Sequence, residues 1–204
     1  MLSQLARKGH PAATVAPSPQ VTARTASMVL IAADTLARVR QRYQQFVGDP
    51  RSALDRPTLA DSADRFARAL AKAFDDAAEQ LTKCSPADPA GAASALAAAQ
   101  AAEYAFDLAD QHARRAARHG LYPGGTPPLD ARELDLIEEA RASLELAAES
   151  TDAHIRRNHC LRAQALVASA GVVIPELLEP AWTAISDDPG HVETRAHFCS
   201  TKSM

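Results

Sequence analysis

Two short clusters of histidine and cysteine have the residue types best suited to binding a metal. His159 and Cys160 are adjacent, and His197 and Cys199 are separated by one residue. Together they would supply the ligands of a tetrahedral zinc site if the C-terminal segment folded back. Neighbouring residues of a helix project about 100° apart, so His159 and Cys160 do not converge without local distortion. We therefore prefer four separate side chains with no metal or other cofactor, and keep a metal-dependent enzyme as an alternative.

A second candidate for chemistry lies near position 120, where four residues separate Arg114 from His119. This Arg-x4-His spacing resembles the ribonuclease motif of HEPN-type helical bundles, in which arginine and histidine act together on a phosphodiester. The resemblance covers six residues, and Arg115 stands where the motif usually has Asn or Asp. It implies a ribonuclease with Arg114 and His119 as the catalytic pair. The interpretation that we prefer is a charged, solvated helix end without a catalytic role.

Other motifs that mark enzymes are absent from the sequence. A di-iron bundle needs Glu-x-x-His pairs on its inner helix faces, and the chain contains no such pair. The zinc-protease motif His-Glu-x-x-His, the glycine-rich phosphate loops and the Gly-x-Ser-x-Gly nucleophile turn are missing as well. The absence of these motifs favours a non-enzymatic protein.

The composition predicts an all-α fold. Alanine makes up more than a fifth of the 204 residues, whereas aromatic residues make up 4%. Alanine has the highest intrinsic helix propensity because it loses no side-chain entropy, and residues that favour strands are scarce. Side chains this small should also let neighbouring helices approach each other closely.

Capping and turn residues divide the chain into four long helices and a short one. Asp88 followed by Pro89 is the strongest helix start, since Asp caps free N–H groups and Pro has no hydrogen bond to lose there. The predicted helices run from Thr22 or Thr25 to Val47, from the capping pattern at Thr58 to Ser85, from Pro89 to His119, from Asp130 with Glu133 to about Ala170 (or with a restart near Ser150), and from Pro175 to Ile185.

Short connections between these segments predict antiparallel neighbours. The expected fold is an up-and-down bundle of four long Ala-rich helices with a short C-terminal helix, spanning residues 22–186. A disordered N-terminal tail, residues 1–21, and a flexible C-terminal tail, residues 187–204, should flank it. A hairpin of the third and fourth helices would bring a basic cluster near an acidic one; these are Arg114, Arg115 and Arg118, and Glu133, Glu138 and Glu139.

Charge and cysteine content bear on partners and location. The net charge of -3 gives no general attraction to nucleic acid or to anionic membranes. The three cysteines are odd in number and widely spaced, which fits a reducing compartment. No apolar run approaches the roughly 18 residues of a membrane span. We expect a soluble, cytoplasmic protein; because Asp34 is the first acidic residue, a secreted effector or a phage accessory protein is the alternative.

An interaction role is the leading hypothesis for function. Leu177, Leu178 and Trp182 on the last helix form a compact apolar patch that either caps the bundle or docks a partner. Faces of small residues permit close packing within one chain or between two, and few large aromatics are present to line a ligand pocket. We therefore expect a protein partner or a homo-oligomer, with the two kinds of enzyme described above as alternatives.

Overall fold

The computed structural model describes residues 18–85, 87–123 and 128–184 of the chain. Within these ranges every regular element is a helix, so the predicted all-α class is confirmed. Consecutive long helices run antiparallel, and a short helix follows them. The predicted N-terminal tail, up to residue 17, and the predicted C-terminal tail, residues 187–204, lie outside the described residues.

Seven α-helices and two single 3-10 turns, at Pro57–Ala60 and Glu176–Leu178, make up the described fold. The α-helices are α1, Pro19–Gly48; α2, Ser52–Asp55; α3, Arg65–Lys83; α4, Pro89–Arg118; α5, Ala131–Glu149; α6, Ala153–Ser169; and α7, Glu179–Ala184.

α4 is the central helix of a three-helix unit. α1 packs along one side of α4 and α3 along another, whereas α1 and α3 contact each other only sparingly. Arg38 pairs with Glu103, and one turn later Arg42 pairs with Asp107, so α1 and α4 run parallel. Asp64, at the start of α3, pairs with His112 near the end of α4, so these two helices run antiparallel. The chain thus passes up, down and up through the unit.

The buried face of α4 consists almost entirely of methyl groups. Its residues recur at the three- and four-residue spacing of one helix face. They are Ala92, Ala95, Ala99, Ala102, Phe106, Ala109, Ala113, Ala116 and Ala117. Leu96 is only partly buried, because its neighbour Ala95 takes the central position on this face.

α5 and α6 form a separate antiparallel hairpin. The prediction of one helix from Asp130 to about Ala170 is wrong, because the Asp152 carboxylate accepts hydrogen bonds from the backbone N–H groups of His154 and Ile155 and so starts a new helix. The alternative restart near Ser150 is confirmed. Ile155, which the long helix would have turned inward, is 47% exposed.

The starts of α1 and α3 also differ from their predicted positions. α1 begins at Pro19, before the earlier predicted start at Thr22, because the Ser18 hydroxyl caps it and Pro19 suits the first helical position. α3 begins directly after Asp64 rather than at Thr58, because the Asp64 carboxylate accepts the first free N–H groups of the helix. The segment at Thr58 forms only a 3-10 turn.

The predicted caps of α4 and α5 are confirmed. Asp88 caps α4 and Pro89 is its first residue. Gly120 has a φ of 67°, the left-handed conformation in which glycine commonly follows a helix. Asp130 and Glu133 form both hydrogen bonds of a capping box at the start of α5.

The last α-helix begins at Glu179 after a 3-10 turn, rather than at Pro175, and its predicted end at Ile185 lies outside the described residues.

The predicted hairpin between the third and fourth helices is wrong, because the helix that follows α4 packs mainly against α6. The predicted ion pairs between the basic and acidic clusters are therefore replaced by others. Arg114 pairs with Asp110 on its own helix, and Glu139 pairs with Arg162 of α6.

Two short elements join the hairpin to the three-helix unit. In α2, Ala53 packs into the core of the three-helix unit, while the next residue, Leu54, packs into the core of the hairpin. Near the C-terminus, Leu178 of the second 3-10 turn packs in the core of the three-helix unit, and Trp182 of α7 packs in the core of the hairpin. Each of the two segments therefore contributes one side chain to each core.

We predict that Ala102→Leu will lower the free energy of unfolding by about 1–3 kcal/mol, because the closely packed face of α4 has no space for a larger side chain. The control is Ala142→Leu at an exposed position of α5, which should change this free energy by no more than about 0.5 kcal/mol. Urea denaturation of both variants measures the difference. Equal losses would show that α4 does not approach its neighbours closely.

A second prediction concerns the start of α6. Backbone hydrogen bonds from Ile155 and His154 lower the pKa of Asp152. Its stabilising contribution is therefore complete above the ordinary aspartate pKa of about 3.9 and is lost as the pH falls through the lowered value. Asp152→Asn keeps a capping oxygen that does not titrate. The stability advantage of the natural chain over this variant should shrink below about pH 4 in thermal unfolding followed by circular dichroism; an advantage independent of pH would contradict this.

Candidate interaction surface

Between Ala90 and Gln111, one long face of α4 is exposed and carries no charged side chain. We call it the α4 stripe. It faces away from α1 and α3 and extends over about six turns of the helix. Its residues are Ala90, Ala93, Ala97, Gln100, Ala101, Tyr104, Leu108 and Gln111. The exposed Arg115 follows on the same face in the last turn of the helix.

Tyr104 and Leu108 are the large apolar side chains of the α4 stripe. They lie one turn apart on the same face, with 70% and 39% of their surfaces exposed. The outward face of a surface helix usually carries charged or polar residues, and a helix that is apolar on all sides is usually buried. The α4 stripe therefore has the composition of a face that another helix covers.

The acidic residues of α4 lie on one flank of the stripe, toward α1. Asp107 Oδ1 is 2.8 Å from Arg42 Nη2, and Glu103 Oε1 is 3.6 Å from Arg38 Nη2, which also belongs to α1. The Arg42 guanidinium also lies over the Phe106 ring, 4.4 Å from its centroid. These contacts draw the carboxylates toward α1 and leave the centre of the stripe uncharged.

An open groove lies between α1 and α3. We call it the α1–α3 groove; its volume is about 230 Å³, and no residue of α4 lines it. It exists because α1 and α3 pack against α4 far more than against each other. The α4 stripe and the groove are thus on opposite sides of the three-helix unit. The lining residues are Tyr43, Ala67, Leu70, Ala71, Phe74 and Asp75.

Two aromatic rings join the walls of the groove. Tyr43 of α1 meets Phe74 of α3 edge to face, with 5.8 Å between the ring centroids. Burial raises the pKa of the Tyr43 phenol. Leu70 beside them is fully buried, whereas Ala71 is exposed at the edge. The groove therefore has an aromatic and aliphatic floor with an accessible edge.

A polar cluster fixes α5 on α2. Arg141 Nε donates to Asp55 Oδ1 at 2.8 Å, and Arg141 Nη2 donates to the Leu54 carbonyl at 2.8 Å. The Tyr122 hydroxyl donates to the same carbonyl at 3.0 Å. Burial raises the pKa of Tyr122 to about 12, with the Arg141 charge acting in the opposite direction. These polar groups satisfy one another, so the cluster holds the hairpin in position.

The two residues of the ribonuclease hypothesis have different surroundings. Arg114 Nε donates to Asp110 Oδ2 at 2.8 Å, and the same carboxylate pairs with Arg56. His119 is the exposed capping residue at the end of α4. Among the contacts of the described residues, none joins the side chains of Arg114 and His119. A catalytic pair at these positions stays a prediction.

Only half of the proposed zinc ligands lie in the described part of the chain. His159 is partly buried and Cys160 is buried, which raises the pKa of the thiol and disfavours the thiolate that binds metals. His197 and Cys199 lie outside the described residues. In residues 18–85, 87–123 and 128–184, no group of three potential ligands is close enough to hold a metal ion. A zinc site made of all four residues stays a prediction.

In the apolar patch near the C-terminus, two of the three residues, Leu178 and Trp182, pack into the two cores, as expected if the patch caps the bundle. Trp182 is buried in the hairpin core, and Leu178 is buried in the core of the three-helix unit. Gln164 Nε2 donates to the Trp182 carbonyl, which fixes α7 beside α6. Leu177 is the exposed member of the patch.

Comparison with protein-family models, with curated proteins and with solved structures gives no match for the chain. None of the helices in the described ranges is long and apolar enough to cross a membrane. The surfaces of the fold are therefore the basis on which we propose a function.

The polar cluster generates a prediction on pH. The folded protein favours the neutral phenol of Tyr122. The contribution of this phenol to the free energy of unfolding is therefore complete below pH 10 and is lost as the pH rises toward about 12. Tyr122→Phe should lower the free energy of unfolding by about 0.5–1.5 kcal/mol at neutral pH. It should also make the fall in stability above pH 10 less steep.

Urea midpoints measured across this pH range test the Tyr122 prediction. Ala142→Leu, at an exposed position of α5, is the control and should leave the pH dependence as it is in the natural chain. A Tyr122→Phe variant whose stability falls as steeply as that of the natural chain would contradict the assignment.

Proposed function

We propose that the protein is a non-enzymatic interaction module that associates with further copies of itself through the α4 stripe. The observation that carries this proposal is the uncharged, exposed face of α4, with Tyr104 and Leu108 projecting from it. Exposed apolar surface of this extent on a helix is typical of sites that contact other proteins.

The residue types of the stripe favour association. Burying a large apolar side chain is worth roughly 1.5–3 kcal/mol, and tyrosine is among the residues that most often dominate protein interfaces. The surrounding alanines lose no rotamer entropy when they are covered, so their contact carries little cost. They also let the backbone of a partner helix approach closely. At 30 residues, α4 is about 45 Å long, enough to support an extended contact.

The lack of charge supports a second copy as the partner. Two identical surfaces bring identical charges together, and like charges at an interface oppose binding. The centre of the α4 stripe avoids this repulsion, since its polar members, such as Gln100 and Gln111, are uncharged.

Substituting Tyr104 by Glu should weaken self-association by about 30-fold or more, because a carboxylate would have to be desolvated in the contact. Sedimentation velocity over a concentration series measures the change. Leu146→Glu, on the exposed face of α5, is the control and should associate as the natural chain does. A natural chain that stays monomeric at the highest concentration would refute the proposal, and equal weakening by both variants would refute the role of the stripe.

A further inference from the structure

We infer that the α4 stripe of one copy docks in the α1–α3 groove of the next, so that copies associate head to tail. This inference rests on the proposed self-association and adds the surface that receives the stripe. It depends on two features at opposite sides of the same three-helix unit. One is a projecting helix face, and the other is an open groove.

The packing of the helices leaves the groove available to a fourth helix. In a four-helix bundle, a further helix would cover α1 and α3 on the side away from α4. Here α5 packs against α6 instead, and α1 and α3 contact each other only sparingly. Docking of a second α4 would complete a bundle made of α1, α3 and α4 of one copy and α4 of another.

The spacing of the stripe residues suits a helix lying in a groove. Such contacts use anchors three or four residues apart along one face. Ala97, Ala101, Tyr104 and Leu108 follow this spacing. The two small residues would allow close approach to the exposed edge at Ala71, and the two large ones would fill the groove volume.

The large side chains of the two surfaces are chemically matched. The floor of the groove already contains the edge-to-face pair of Tyr43 and Phe74. An inserted Tyr104 would add a third ring, and aromatic pairs in such arrangements are favourable beyond the area that they bury. Leu108 would meet the aliphatic part of the floor at Leu70.

The charges at the edges also agree with this pairing. Arg40, one turn before Tyr43 on α1, is exposed and forms no ion pair within the described residues. The flank of the α4 stripe carries Glu103 and Asp107, whose side chains are 37% and 47% exposed although each pairs with an arginine of α1. The α1 edge of the groove is thus cationic, whereas its α3 edge carries the exposed carboxylate of Asp75. The acidic flank of the stripe is complementary to the α1 edge, which would orient two copies as they approach each other.

The alternative is contact between two α4 stripes, which would give a closed dimer with twofold symmetry. Two projecting helix faces meet along a single line of contact. A helix in the α1–α3 groove contacts two helices at once. The groove contact is not reciprocal, so it continues to a third copy unless the copies close into a ring.

Two variants that each disable one surface test the inference. Tyr104→Glu blocks the stripe, and Ala71→Glu places a charge at the exposed edge of the groove. Each variant alone should associate at least about tenfold more weakly than the natural chain. An equimolar mixture should associate again, because the groove of the first variant and the stripe of the second are intact. The mixed complex should stop at two chains, whereas the natural chain continues to larger assemblies.

Native mass spectrometry with one variant isotopically labelled distinguishes the outcomes. A mixed dimer of one labelled and one unlabelled chain supports the groove contact. If Ala71→Glu associates like the natural chain and no mixed dimer forms, the groove contact is overturned while self-association stands. A monomeric natural chain overturns both proposals. Ala142→Glu, exposed on α5, is the matched control and should assemble normally, and Ala71→Lys repeats the test with the opposite charge.

Discussion

Close contact between α4 and its two flanking helices constrains the rest of the three-helix unit. Phe106 is the one buried residue of α4 larger than alanine, so the bulk of the core comes from α1 and α3. Side chains such as Val39, Phe46 and Leu70 project onto the methyl surface of α4. Since both helices approach α4 rather than each other, the groove between them is a result of that contact. The groove and the exposed face of α4 thus have a common physical origin.

Helix ends that depend on residues within one helical turn were predictable from the sequence. The caps at Asp88 and Asp130 and the left-handed Gly120 are local, because each satisfies backbone groups a few residues away. The break before α6 was harder to predict, since apolar residues continue at helical spacing through the region. It depends on Asp152, whose carboxylate accepts N–H groups that a continuous helix would have bonded internally. Both possibilities were consistent with the sequence pattern.

The surfaces were less predictable than the helices because exposure depends on which helices become neighbours. Sequence periodicity identifies an apolar face but does not say which helix covers it. Tyr43 and Phe74 pack against the core of the three-helix unit, and they also form the floor of an open groove. A single tyrosine such as Tyr104 carries no periodic signal of its own. The uncharged first half of α4, from Pro89 to Ala102, was the signal that could have indicated the exposed face.

The short helix α2 has a consequence for how the protein folds. Its consecutive residues Ala53 and Leu54 complete two different cores, and the Leu54 carbonyl also accepts hydrogen bonds from Arg141 and Tyr122. Neither the three-helix unit nor the hairpin has its full set of contacts until α2 is in place. Loss of structure in one unit therefore removes contacts from the other. This coupling through four residues favours a single cooperative unfolding transition over separate melting of two small units.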